Sequence, residues 1–163
     1  MIIRSLVFGL IITLSAFTDT TGPLSTARSL FSKLDQGNVY VDSLIKVSSK
    51  YASSPLMLAY YGAAKTAKAN YVSGPFDKYN TAKAGLGKLN ASVTKSPTNI
   101  EIRFIRYSVE LNIPAIMPFT NHTKLDKKFI VNHLDTEHVF YPEIKSFMLK
   151  YGKLTDSEKK KFK

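Results

Sequence analysis

Between residues 93 and 101 the chain reads Val93-Thr94-Lys95-Ser96-Pro97-Thr98-Asn99-Ile100-Glu101. Upstream, Tyr79, Ala82, Leu86, Leu89 and Val93 recur at steps of three and four, so they share one face of a helix over 76–95. Pro97 stops that helix, because proline lacks the N–H and clashes with the preceding turn. Thr98-Asn99-Ile100-Glu101 then fits a capping box, and a second helix starts at once with Ile102, Ile105, Val109 and Leu111 inward and Phe104 and Tyr107 flanking. Two helices joined by so short a turn must fold back on each other. A chain punctuated in this way predicts stacked antiparallel helix pairs.

The same grammar runs through the rest of the chain. Gly22-Pro23 opens a helix with Leu24, Ala27, Leu30, Phe31 and Leu34, ended by Gly37. Asn38 can cap a second helix with Val41, Leu44, Ile45 and Ser48 inward. Ser54-Pro55 is a helix start, and Leu56 to about Val72 follows with Gly62, Ala63, Ala64, Ala67 and Ala69 as one small-residue surface. This segment is expected to be the central buried helix. Gly85 and Gly87 weaken the next helix, and close packing against the small-residue helix is the expected compensation. Pro114 and Pro118 bracket an apolar stretch expected to tuck against the body. Thr123-Lys124-Leu125-Asp126 and Thr155-Asp156-Ser157-Glu158 both fit capping boxes, and Pro142 starts a helix with Ile144, Phe147, Met148 and Tyr151 that Gly152 closes. No segment has the alternating pattern of a strand.

Residues 1–18 stand apart. Arg4 precedes an apolar run from Ser5 to Leu14, followed by small Ser15 and Ala16 and a polar stretch. This order predicts a secretory signal peptide cleaved between Ser15 and Thr18, with 19–163 as a single helical domain. An uncleaved N-terminal anchor is the alternative. The run is short for a bilayer span, which needs about 20 apolar residues. The chain has no cysteine, so thiolate catalysis and Cys-based metal sites are excluded. Export without disulfides suits a bacterial envelope, in the periplasm or outside a Gram-negative cell. The net charge is +11, and it is uneven: residues 17–49 carry three basic against three acidic side chains, and residues 50–121 carry nine against three.

Gly85, Leu89, Ser92, Val93 and Pro97 resemble the second helix and closing proline of a tetratricopeptide repeat, and Thr98-Asn99 then starts the next helix as in those repeats. Gly62 resembles the first-helix glycine, although its 23-residue distance to Gly85 is about twice that of a standard repeat. The resemblance implies an all-α, right-handed bundle or short solenoid of antiparallel, TPR-like helix pairs, about seven helices in all, built on a degenerate repeat. A wider likeness spans Leu58 to Ala69, Pro75-Phe76-Asp77-Lys78-Tyr79, Asn99 to Ser108, Asn112-Ile113-Pro114 and Leu125 to Ile130. It is similar to a family of small exported bacterial proteins of no established activity, and it supplies no catalytic residues.

The search for chemistry returns few candidates. His122, His133 and His138 fall within 17 residues, with Asp126, Asp135 and Glu137 nearby. Their spacings of eleven and five are not the i, i+4 step that puts two metal ligands on adjacent turns. They are weak metal candidates, and no cofactor is expected. No nucleophile elbow or phosphate loop is present. Arg103 and Arg106 could fork a carboxylate or phosphate of a partner. Alternatively, Arg103 orders the fold against Asp77 or Glu101. Glu110 is expected on the surface or paired with Arg106 at i, i+4.

Three functional readings follow. The first is a non-enzymatic exported repeat protein that offers a groove to a protein or peptide partner through Tyr60, Tyr61, Tyr71, Arg103, Arg106 and Tyr107. The second is a metal-dependent or acid/base hydrolase built on the His122–His138 region. The third is charge-driven binding to anionic envelope surfaces. Nucleic acid is a poor fit to an exported chain without a nucleic-acid-binding motif.

Overall fold

Among the described residues, proline stands at the first or second position of four of the eight helices, where its missing N–H is not needed and its fixed φ favours the first turn. The computed structural model describes residues 22–162 except 115 and 120. The expected leader lies outside the described residues. In order, the helices are α1 (Pro23–Phe31), α2 (Asn38–Ser49), α3 (Pro55–Lys68), α4 (Pro75–Lys95), α5 (Ile100–Leu111), α6 (Thr123–His133), α7 (Tyr141–Tyr151) and α8 (Asp156–Lys159). Short 3-10 turns follow α3 (Ala69–Tyr71) and α8 (Lys160–Phe162). No strand occurs among the described residues, so the all-α expectation holds. None of the described helices is long and apolar enough to cross a membrane.

The expected central helix, α3, packs against α1, α2, α4 and α5, and α5 is more buried still. Nine of its twelve residues are buried, against six of fourteen in α3. It lies between two apolar clusters. Ile102 and Ile105 join Ala27, Leu44, Tyr60, Ala63, Ala64, Leu86 and Leu89 from the first four helices. Ile100, Phe104 and Tyr107 join Ile130, Phe140, Ile144, Met148 and Phe162 from the C-terminal part. Aromatic edges link the two: Phe31 meets Tyr60 at 5.5 Å and Phe104 at 6.3 Å between ring centroids. The small side chains of α3 face α4 and the first cluster, which permits the close approach of those two helices.

Cap chemistry departs from the sequence pattern at several points. Asn99 alone caps α5, accepting from the Ile102 N–H at 2.9 Å; Glu101 is drawn into the interior instead. The 123–126 box does not form, because Asp126 is buried and the N-cap position falls to His122. Gly37, not Asn38, occupies the N-cap of α2. The box at Thr155 and Glu158 forms in full. Ile116 is exposed rather than tucked in, although its neighbour Phe119 stacks on Tyr79 at 5.1 Å.

Candidate functional site

The charged side chains of α5 all point into the fold. Glu101, 1% exposed, accepts two hydrogen bonds from Arg28 of α1, from Nε at 2.8 Å and Nη2 at 2.7 Å, and a third from the Tyr60 hydroxyl of α3. Such a bidentate fork is stronger than a single point contact. Burial pushes the Tyr60 hydroxyl pKa up, and the adjacent Glu101 carboxylate pushes it further, so it stays protonated as a donor. The Glu101 hydrogen bond in turn raises the Arg28 pKa.

One turn on, Arg103 and Arg106 converge on Asp126 of α6. Arg106 donates from Nε at 2.7 Å and from Nη2 at 2.8 Å, and Arg103 donates from Nη1 at 2.9 Å. Two further donors are taken up as well. Arg106 Nη1 reaches Asn90 Oδ1 on α4 at 3.0 Å, and Arg103 Nε reaches the Pro97 carbonyl at 2.9 Å. The Arg103 guanidinium also lies over the Phe129 ring, 5.0 Å from its centroid. Asp126 is wholly buried in the first turn of α6, where the helix dipole favours its charge. At the end of α5, Glu110 meets His122: Oε2 accepts the His122 backbone N–H at 2.5 Å, and Oε1 lies 2.8 Å from Nδ1.

This set ties α5 to α1, α3, α4 and α6, and its partners differ from those expected. Arg103 pairs with Asp126 rather than Asp77 or Glu101. Glu110 pairs with His122 rather than Arg106. Of the six candidate groove residues, Tyr60, Arg106 and Tyr107 are buried and offer nothing to a partner. Arg103 is partly buried and held by Asp126, the Pro97 carbonyl and the Phe129 ring. Tyr61 is half-buried under the Lys88 ammonium, 4.7 Å from its ring centroid, and Tyr71 is exposed at the end of the 3-10 turn.

The histidines do not converge. His122 and His133 sit at opposite ends of α6, separated by about 16 Å along its axis at 1.5 Å per residue. His133 Nδ1 lies 2.9 Å from the Phe129 carbonyl, and His138 Nδ1 accepts the Phe140 N–H at 3.1 Å. Among the described residues no three His, Cys, Asp or Glu side chains are placed to hold a metal ion. An open depression on α7 is lined by Pro142, Glu143, Ser146, Phe147, Lys150 and Tyr151. Its lining holds one carboxylate, one ammonium and the hydroxyls of Ser146 and Tyr151.

The interior set has a consequence for the surface. The described residues include three arginines, and all three are spent on buried carboxylates. Three acids, Glu101, Glu110 and Asp126, are buried with them. What remains outside is eighteen lysines, none buried, against eight acids. The whole net charge of the described chain therefore stands on its surface as lysine. Over residues 43–98 eight lysines stand against Asp77 alone. Sequence reading located the charge excess but not this division, because pairing across helices is invisible to charge counts.

No family model matches the chain, and neither a curated protein nor a solved structure does.

Proposed function

We propose that this protein is an exported, non-enzymatic helical scaffold that binds an anionic surface of a Gram-negative envelope by charge. The observation that carries the reading is the lysine-only cationic surface of the described residues, eighteen lysines against eight acids. Lysine is a strongly hydrated point charge on a flexible stem, suited to diffuse attraction rather than to a fixed bidentate site. Arginine, which recognises anions by geometry, is reserved for the interior. The leader-like residues 1–18 and the absence of cysteine support export. The antiparallel pairing of α3 and α4 through Gly62 and Gly85, with Pro97 closing α4, supports a degenerate tetratricopeptide-like scaffold. Binding of a peptide partner is the second reading, favoured by the open depression on α7 and by Tyr61 and Tyr71 as its remaining candidates.

The test uses the chain recovered from a secreting bacterial host. Its N-terminal mass reports whether cleavage falls between Ser15 and Thr18. The protein should then sediment with phosphatidylglycerol-containing vesicles and not with phosphatidylcholine vesicles. Binding should fall steeply between about 0.1 and 1 M salt, as the screening length shrinks from about 10 to about 3 Å. Equal binding to both vesicles, or binding indifferent to salt, refutes the reading.

A further inference from the structure

Six of the exposed large apolar side chains gather at one end of the molecule. The contacts fix that end. Lys68, at the end of α3, reaches Asn38 at 2.9 Å and Asp42 at 2.7 Å at the start of α2. The 3-10 turn after α3 packs on α4. Phe119, beyond α5, stacks on Tyr79 in the first turns of α4. Glu110, at the end of α5, binds His122, at the start of α6. The starts of α2, α4 and α6 and the ends of α3 and α5 therefore share one pole. Val39, Tyr71, Phe76, Leu111, Ile116 and Leu125 all stand there, on six separate stretches of chain.

Their exposure describes its shape. Phe76 is 74% and Ile116 90% exposed. Side chains lining a groove are shielded by the opposite wall, so Phe76 and Ile116 protrude, while Tyr71 at 43% and Leu111 at 38% are more shielded. Protruding side chains of this kind can anchor in a partner's pocket or in a bilayer, and the lysines beside them favour an anionic bilayer. Lysines surround the tip: Lys33 over the Tyr40 ring, Lys68 on α3, and Lys78 and Lys124, which have no carboxylate partner among the described residues. Asp35, Asp42 and Asp77 share this end, and Lys68 takes Asp42. Lysine stems can lie along buried apolar surface with the ammonium at phosphate level, and tyrosine favours the same layer.

We infer that this pole is a membrane-docking tip: it seats in the headgroup layer of an anionic bilayer, with Phe76 and Ile116 inserted and the lysines on lipid phosphate. This inference rests on the proposed binding to anionic surfaces and names which part of the molecule makes the contact. Apolar insertion and electrostatic attraction are the two signals that together hold a peripheral protein on a membrane.

The chain contains no tryptophan, so one introduced by substitution is an isolated fluorophore. Phe76→Trp should shift to shorter wavelength when phosphatidylglycerol vesicles are added. Tyr51→Trp, in the α2–α3 turn at the opposite pole, should not. The double variant Phe76→Ser/Ile116→Ser, altered only at exposed positions, should keep the parent melting temperature and lose at least about tenfold in vesicle partitioning. Sedimentation with vesicles without a Phe76→Trp shift would overturn the tip while leaving the charge reading intact. No sedimentation would overturn both. A shift produced by envelope protein fractions and not by vesicles would assign the tip to a protein partner and refute the lipid.

Discussion

Gly62 of α3 and Gly85 of α4 meet backbone to backbone. A Cβ on Gly62 would stand 2.9 Å from the Gly85 carbonyl oxygen, and a Cβ on Gly85 would stand 2.4 Å from the Thr66 amide nitrogen. Both distances are too short for a methyl group, and the atoms in the way are main chain. The two helices are held at a separation that glycine alone allows.

Gly85→Ala should therefore destabilise the protein by about 1–3 kcal/mol or more, since only a helix shift relieves the clash. Gly87, two residues on, is exposed with open space around it. Gly87→Ala should stabilise by up to about 1 kcal/mol through helix propensity. Urea unfolding of the two variants tests the contrast. Equal effects would mean that α3 and α4 do not cross at Gly85.

Asp126 accepts from two arginines and is wholly buried. Asp126→Ala leaves two guanidinium groups without their carboxylate and should cost about 3–5 kcal/mol. Asp42→Ala, which removes the partner of Lys68 on the surface, should cost less than about 1 kcal/mol. Denaturant midpoints at constant slope distinguish them.

Tyr60 sets an alkaline limit. Its pKa is raised in the folded state by burial and then by Glu101, above an unfolded value of about 10. A group raised on folding contributes its full stability below the unfolded pKa and loses it as pH climbs past that value. Tyr107, raised by burial and by Glu158, acts in the same direction. Melting temperature should fall above about pH 10, and Tyr60→Phe should flatten that fall. At neutral pH the same variant should lose about 1–2 kcal/mol for the missing hydrogen bond. A parallel alkaline profile in Tyr60→Phe would dismiss Tyr60 as the source.

Lys153 has φ 46°, the left-handed region, immediately after the Gly152 cap of α7. Its carbonyl accepts from Lys127 Nζ at 2.8 Å, a bond that does not need the Lys153 side chain. Lys153→Gly should relieve the Cβ clash and stabilise by about 0.5–1 kcal/mol, net of the extra freedom of glycine in the unfolded chain. A loss of stability on thermal unfolding would show that the lysine stem packs usefully.

Much of the architecture was legible in the residues themselves. Proline and small polar residues marked where helices begin, Gly152 marked where α7 ends, and the face Ala82, Leu86, Leu89, Val93 is the buried face of α4. The small-residue seam was visible too, though only Gly85, not Gly87, lies in it. These signals are local: an N-cap, a missing N–H and a 3.6-residue period each act within one or two turns, so a short window of sequence contains their cause. The ion pairs lie beyond that reach. Arg28 and Glu101 are 73 residues apart, and Arg106 and Asp126 are 20. Nothing in a single helix says which carboxylate will cross to which guanidinium. That choice belongs to the packing of α5 among four neighbours, which also buried Tyr60, Arg106 and Tyr107 and drew Glu101 and Asp126 away from the caps their spacing suggested. An isolated charge in a dry interior is too costly to leave unpaired. Once the helices were stacked, the arginines had to take Glu101 and Asp126, Glu110 fell to His122, and the lysines were left to face outward.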